Sequence, residues 1–128
     1  DTGVQYPKKI LVQLSFDSVQ WKVKDGKVIN KYPYTPDYEA IRQRILMEDV
    51  SINYSTIYEN PYATFYNGED QTDNIIWYED SRSINAKLNL IKMFGLKGVS
   101  IWRLGNIPDF KDTGSKKIYL DVWDQLFD

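Results

Sequence analysis

The sequence predicts an α+β fold, and three of its stretches carry that prediction. Residues 75–105, IIWYEDSRSINAKLNLIKMFGLKGVSIWRLG, read as strand, helix and strand without interruption. Asp25-Gly26, flanked by residues 21–24 and 27–30, is a dipeptide favoured in two-residue hairpin turns. Residues 51–66 interleave tyrosines with small and polar residues in a strand-like pattern. A final strand without charges points to parallel pairing under helices, while the hairpin and the tyrosine-rich runs point to an antiparallel part.

Taken in order, Ile10 to Phe16 (ILVQLSF) is introduced by Pro7 and carries the apolar density of a central strand. Asp17-Ser18 ends it, and the hairpin about Asp25-Gly26 follows. Thr35-Pro36 reads as a helix cap followed by proline at the first helical position. Tyr38, Ile41 and Ile45 then form the buried face of a helix running to about Glu48. Asn60-Pro61 is expected as a turn or bulge between two short strands, and residues 67–70 as the next turn. Asp80 or Ser81 caps the helix after Ile75 to Tyr78, Ile84, Leu88 and Ile91 make its buried face, and Lys87 and Lys92 point away. Gly95 stops it in the left-handed C′ conformation, with Leu96 folding back. Residues 106–115 form a loop, and Tyr119, Val122, Trp123 and Leu126 supply one face of a closing helix.

The chain has 128 residues and a formal charge of −2, enough for one domain with a sizeable core. Its 16 basic residues are scattered, so no basic stripe exists and nucleic acid is not an expected partner. No apolar run reaches membrane-spanning length, and no charged-then-apolar signal segment stands at Asp1. Membrane insertion is therefore not expected, and Asp1, which is not a methionine, is expected to be a cut inside a longer protein. With no cysteine and no histidine, thiol catalysis, a Ser-His-Asp triad and Cys- or His-bound metals are excluded, and no cofactor is expected. Carboxylates, lysines and tyrosines remain for acid–base work. Ten tyrosines and four tryptophans suit both a β-rich core and surfaces that stack on sugar faces.

Four pieces together resemble the C-terminal third of family 18 glycoside hydrolases, the chitinase-like barrels, and within them the bacterial spore-cortex and peptidoglycan-active N-acetylglucosaminidase branch. KKILVQLSFDSVQW is similar to the seventh barrel strand with its trailing tryptophan, and INYSTIYENPYATFYNGE to the small inserted subdomain. IIWYEDSRSINAKLNLIKMFGLKG resembles the stretch around the seventh barrel helix, and GVSIWRLG the eighth strand. The resemblance implies a fragment of an α/β TIM barrel. Residues 7–20 are then barrel strand seven, 21–79 an inserted antiparallel α+β subdomain, and 80–128 the last barrel helices with strand eight. It also pairs Val99 to Trp102 with Ile10 to Phe16, whereas the residues alone put Ile75 to Tyr78 beside that strand.

The proton-donating glutamate of the family lies on the fourth barrel strand, so the resemblance leaves no catalytic residue in this chain. What it implies is a segment of a glycosidase acting on N-acetylglucosamine-containing glycans, peptidoglycan or chitin-like. The expected location, again by resemblance, is extracellular, in the cell envelope or in the spore. The family's Gly and Pro within strand seven and its Tyr-Gly just after are replaced here by Gln13, Ser15, Asp17 and Ser18. That departure leaves open a non-catalytic glycan-binding protein on the same scaffold, or a purely structural interaction module.

Two residues are candidate substrate contacts. Trp102 ends a buried strand; burial statistics favour a core tryptophan, but the resemblance implies the floor beneath the sugar next to the scissile bond. Asp17, at the mouth of the other strand, reads either as a solvated strand terminator or as a hydrogen-bonding group for a sugar hydroxyl or amide. Glu79 and Asp80 are adjacent and cannot flank one bond from opposed sides, so they read as a helix-end charge and a cap. Arg82 and Arg103 look isolated, and tyrosines 54–66 read as sheet packing or an extension of a sugar cleft. Two strands lifted from a barrel leave apolar edges, which predicts a homo-oligomer built through them.

Overall fold

The computed structural model of the protein describes residues 9–112 and 114–127. In chain order its elements are β1 (Leu11–Ser15), β2 (Val19–Lys24), β3 (Lys27–Val28), α1 (Tyr38–Ile45), β4 (Ser51–Ser55), β5 (Asn60–Asn67) and β6 (Thr72–Trp77). They are followed by α2 (Ser81–Met93), β7 (Gly98–Trp102) and the short α3 (Trp123–Phe127).

Two sheets organise these elements. β1 and β7 pair in parallel, Leu11 opposite Gly98 and Ser15 opposite Trp102. The other five strands form an antiparallel sheet in the order β3-β2-β6-β5-β4. The strand before α2 is thus not the partner of the strand after it, which corrects the pairing read from the residues alone. β6 begins earlier than expected and buries Thr72, Asn74 and Ile76 on one face. That alternation suits an antiparallel sheet covered on one side, not a parallel strand buried on both. Val19 and Gln20, expected to finish the first strand's segment, already pair with Trp77 and Ile76 in the second sheet.

Local chemistry explains the element ends. Asp25 and Gly26 both have positive φ, 53° and 77°, as a type I′ hairpin turn requires. The cap of α1 is Asp37 rather than Thr35, its side chain accepting from the Ala40 N–H at 2.8 Å. Pro36 stands before the helix, which ends at Ile45, short of Glu48. Asn60-Pro61 opens β5 instead of breaking it, and the turn falls on residues 56–59. Gly95, at φ 60°, closes α2: its own N–H reaches the Lys92 carbonyl, and the Leu96 N–H reaches Ile91. These are the two bonds of a Schellman motif.

Helix α1 joins the two halves. Ile41 and Ile45 are fully buried on the five-stranded sheet, each stabilising the fold by about 1.5–3 kcal/mol. Tyr38 packs edge-on against Phe16 beyond β1, and its hydroxyl accepts the Glu79 N–H at 3.0 Å. Burial pushes the Tyr38 phenol far above its ordinary range. Leu14, Phe16, Ile84, Ile91, Ile118, Leu120 and Val122 continue the same core around β1 and α2.

The expected closing helix is mostly extended chain. Only Trp123–Phe127 is helical. Ile118, Leu120 and Val122 are buried in alternation, Asp109 bridges Asp121, and Tyr119 lies outside any helix with φ 57°. The buried residues here follow a period of two, while Tyr119 and Val122 alone also satisfy the helical period of 3.6.

Candidate functional site

The C-terminal ends of β1 and β7 lie side by side because the strands run parallel. The ladder continues past β1, with the Phe16 N–H donating to the Trp102 carbonyl at 3.0 Å and the Asn106 side chain donating to the Phe16 carbonyl at 3.0 Å. The Trp102–Arg103 peptide is cis. This backbone frame fixes where the indole starts. Val12 and Leu14, Val99 and Ile101 turn toward the helices, so their neighbours take the other face. That face carries Leu11, Gln13, Ser15, Ser100 and Trp102, all exposed. Leu11 is the only aliphatic residue among them.

Trp102 is 53% exposed, so it is not a core tryptophan. It stands beside Ser15 and two residues beyond Ser100 on the same face, both small neighbours. Asp17 is exposed, its N–H donating to the Ser15 hydroxyl at 3.3 Å. Asp17 also lines a groove of about 560 Å³ along the free edge of β1, together with Leu14, Glu79, Lys87 and Phe94. Trp102 is not part of that lining, so the two candidates occupy neighbouring strand ends without sharing one pocket.

The acidic pair beside the groove is occupied. Glu79 is 7% exposed; it accepts from the Ser83 hydroxyl at 2.6 Å and is ion-paired with Lys87. Lys87 therefore does not point away from the packed side of α2. Glu79, Ser83 and Lys87 recur every four residues, a spacing that places them on one side of a helix and its entry, and this signal was present in the sequence. Asp80 is fully buried and accepts from the Arg82 and Ser83 N–H groups at 2.9 and 3.1 Å. The Arg82 guanidinium forks onto its other oxygen at 3.0 and 2.7 Å. Burial pushes the Asp80 carboxyl above its ordinary value, and the Arg82 fork and the two amides pull against that shift.

Arg82 is far from isolated: its guanidinium lies between Tyr119 and Tyr54, 4.0 and 4.6 Å from their ring centroids. Tyr54 in turn donates to Glu59 at 2.7 Å. The tyrosines thus divide. Tyr54 serves this internal clamp, whereas Tyr62 stacks on Trp77 at 4.6 Å on the uncovered face of the five-stranded sheet. With Glu79 and Asp80 each neutralised by a partner, the strand-end face offers an aromatic ring, hydroxyls and one exposed carboxylate. Such a set can hold a polyhydroxylated ligand, and no two of its carboxylates flank a common bond.

Comparison with known proteins supplies a context for this geometry. The model of the family described as glycosyl hydrolases family 18 matches residues 1–106. The cortical fragment-lytic enzyme of Bacillus subtilis (strain 168) is 33% identical over 96 residues, which are 66% of this chain and 22% of that protein. The di-N-acetylchitobiase of Rattus norvegicus is 33% identical over 87 residues, 65% of this chain and 24% of that protein. Among solved structures, the Bacillus cereus spore cortex-lytic enzyme SleL superposes with a TM-score of 0.73 at 24% identity, covering 95% of this chain and 26% of that one. The class V chitinase from Nicotiana tobaccum superposes with a TM-score of 0.64 at 21% identity, covering 78% and 31%. The chain spans roughly a quarter of the length of the relatives it matches.

Proposed function

Because the chain belongs to the family 18 glycosyl hydrolases, we propose that it is the barrel-closing segment of a glycosidase acting on N-acetylglucosamine-containing glycans of the peptidoglycan or chitin type. β1 and β7 serve as the last two barrel strands, and the five-stranded sheet with α1 forms a wall of the substrate cleft. Trp102 is the floor under a sugar ring, its indole facing sugar C–H bonds, and Asp17 supplies a hydrogen-bonding carboxylate at the rim. The observation that carries this reading is the half-exposed indole at the C-terminal end of a parallel strand pair, the end at which barrel enzymes gather their sites. The names of the spore-cortex relatives favour action at the spore or cell envelope.

The general acid of this chemistry comes from a part of the barrel outside these residues. Hydrolysis then proceeds with the substrate's own acetamido group attacking the anomeric carbon. The chain by itself holds sugar without cleaving it. Isothermal titration of residues 1–128 with tetra-N-acetylchitotetraose is expected to show saturable binding, while a chromogenic N-acetylglucosaminide is not turned over. Turnover that disappears on mutating a carboxylate within the chain would overturn the assignment. Full-length protein bearing this segment distinguishes the enzyme from a glycan-binding protein on the same scaffold, because only the enzyme releases product.

Among the described residues, the outer edges of β1 and β7 have no strand neighbour in their two-stranded sheet. In the isolated chain these edges pair with a second copy, giving a homo-oligomer. Light scattering over a dilution series should show a mass above that of one chain at micromolar concentration; a monomer throughout would contradict it.

A further inference from the structure

Asn106 closes a hydrogen-bonded frame that carries both candidate sugar contacts. The chain leaves Trp102 through a short 3-10 turn, Leu104–Asn106, in which the Asn106 N–H donates to the Arg103 carbonyl at 2.9 Å. That turn brings the Asn106 side chain back to the end of β1, where its amide nitrogen donates to the Phe16 carbonyl at 3.0 Å. Phe16 is thus held on both sides of its backbone, because its own N–H donates to the Trp102 carbonyl at 3.0 Å. The carbonyl that Asn106 holds belongs to the peptide unit leading into Asp17. The N–H of that same unit donates to the hydroxyl of Ser15, the residue opposite Trp102.

Strand ends fray where their hydrogen bonds stop. Among the described residues, β1 and β7 have no further strand beside them, so beyond the Phe16 to Trp102 bond a side chain takes over from the ladder. Its base is firm. Ile107 and Pro108 follow directly and are buried, and the Pro108 carbonyl accepts the Val122 N–H at 3.2 Å. A backbone carbonyl only accepts, so the nitrogen of the Asn106 amide must face it, and an aspartate of the same shape would set oxygen against oxygen. The Trp102 indole is half in solvent and has little packing of its own to orient it. Its direction comes from the backbone that this frame holds.

We propose that Asn106 is a positioning residue for sugar binding: it sets the direction of the Trp102 indole and its separation from Asp17 without touching the ligand. The proposal rests on the reading of Trp102 as the floor under a sugar ring. A displacement of about 1 Å at such a frame is enough to lose an order of magnitude in a well-fitted contact.

Isothermal titration with tetra-N-acetylchitotetraose tests it on residues 1–128, on Asn106→Ala, Asn106→Asp, Asn106→Gln and Trp102→Ala, and on the double variant Trp102→Ala/Asn106→Ala. Removing the donor, by Asn106→Ala or Asn106→Asp, should weaken binding by roughly three- to tenfold. Asn106→Gln, which keeps the donor on a longer arm, should recover most of that loss. In the Trp102→Ala background the same Asn106→Ala change should cost less than about twofold, because a residue that acts through another is not additive with it. In the sugar-free chain, the Trp102 indole N–H signal should move in Asn106→Asp and return towards its wild-type place in Asn106→Gln. The proposal fails if the donorless variants bind as the wild type does, if Asn106→Gln is as weak as Asn106→Asp, or if the full loss persists without Trp102. A wild-type chain that binds no tetrasaccharide removes the glycan reading and this proposal together. Binding that is weakened by Trp102→Ala but kept in both donorless variants removes this proposal alone.

Discussion

Replacing Asp80 by alanine is expected to destabilise the fold by about 2–4 kcal/mol at pH 7, the largest single-residue effect outside the aliphatic core. One carboxylate does three jobs there. It caps α2 through two amide hydrogen bonds, and it holds the Arg82 fork that brings Tyr54 of the five-stranded sheet and Tyr119 of the C-terminal segment together. Losing the cap costs about 1 kcal/mol. The rest comes from Arg82, which loses its counter-charge while two-thirds of its side chain stays covered, being 31% exposed. Asp80→Asn keeps an acceptor for the cap and should cost less. The pH dependence has a definite sign. Because the folded carboxyl titrates above its unfolded value of about 3.9, its contribution is fully present below that value and declines as pH rises through the folded one. The loss for Asp80→Ala is therefore larger at pH 4 than at pH 7. Urea midpoints at unchanged m-value measure it, and a change within about 0.5 kcal/mol at both pH values would show that the clamp is not structural.

Much of this architecture is written locally. The apolar run 11–15 specifies a strand, Asp25-Gly26 a turn, Asp80 a cap and Gly95 a stop, because each is decided by neighbours a few residues apart. Pairing is not local. Nothing in residues 72–77 alone distinguishes a strand beside β7 from one beside β2 and β5; the family resemblance placed β1 with β7 where pattern reading did not. The last segment is ambiguous for a different reason, since Tyr119 and Val122 satisfy helical spacing while the deeper burial of Ile118, Leu120 and Val122 obeys a period of two. At the candidate site, Val-Ser-Ile-Trp at 99–102 already sets Trp102 on the side of Ser100, away from the buried Val99 and Ile101. The Arg82 clamp left no such trace, because Tyr119 reaches it from 37 positions along the chain (119 − 82).

Trp102→Ala should weaken binding of tetra-N-acetylchitotetraose to residues 1–128 by roughly 5- to 30-fold, the equivalent of about 1–2 kcal/mol for one lost stacking face. Stability should change by less than about 1 kcal/mol, since half of the side chain already meets solvent. That separation is what distinguishes a binding ring from a packing ring. Asp17→Asn is expected to have the smaller effect, because an exposed carboxylate contributes one hydrogen bond in competition with water. The four tryptophans give four indole N–H signals, and the Trp102→Ala spectrum assigns the relevant one by its disappearance. Titrating the wild-type chain with the tetrasaccharide while following these signals tests the cleft-floor role most directly. A progressive, saturable movement of the Trp102 indole is the predicted result; saturable shifts elsewhere with the Trp102 indole unmoved would contradict it.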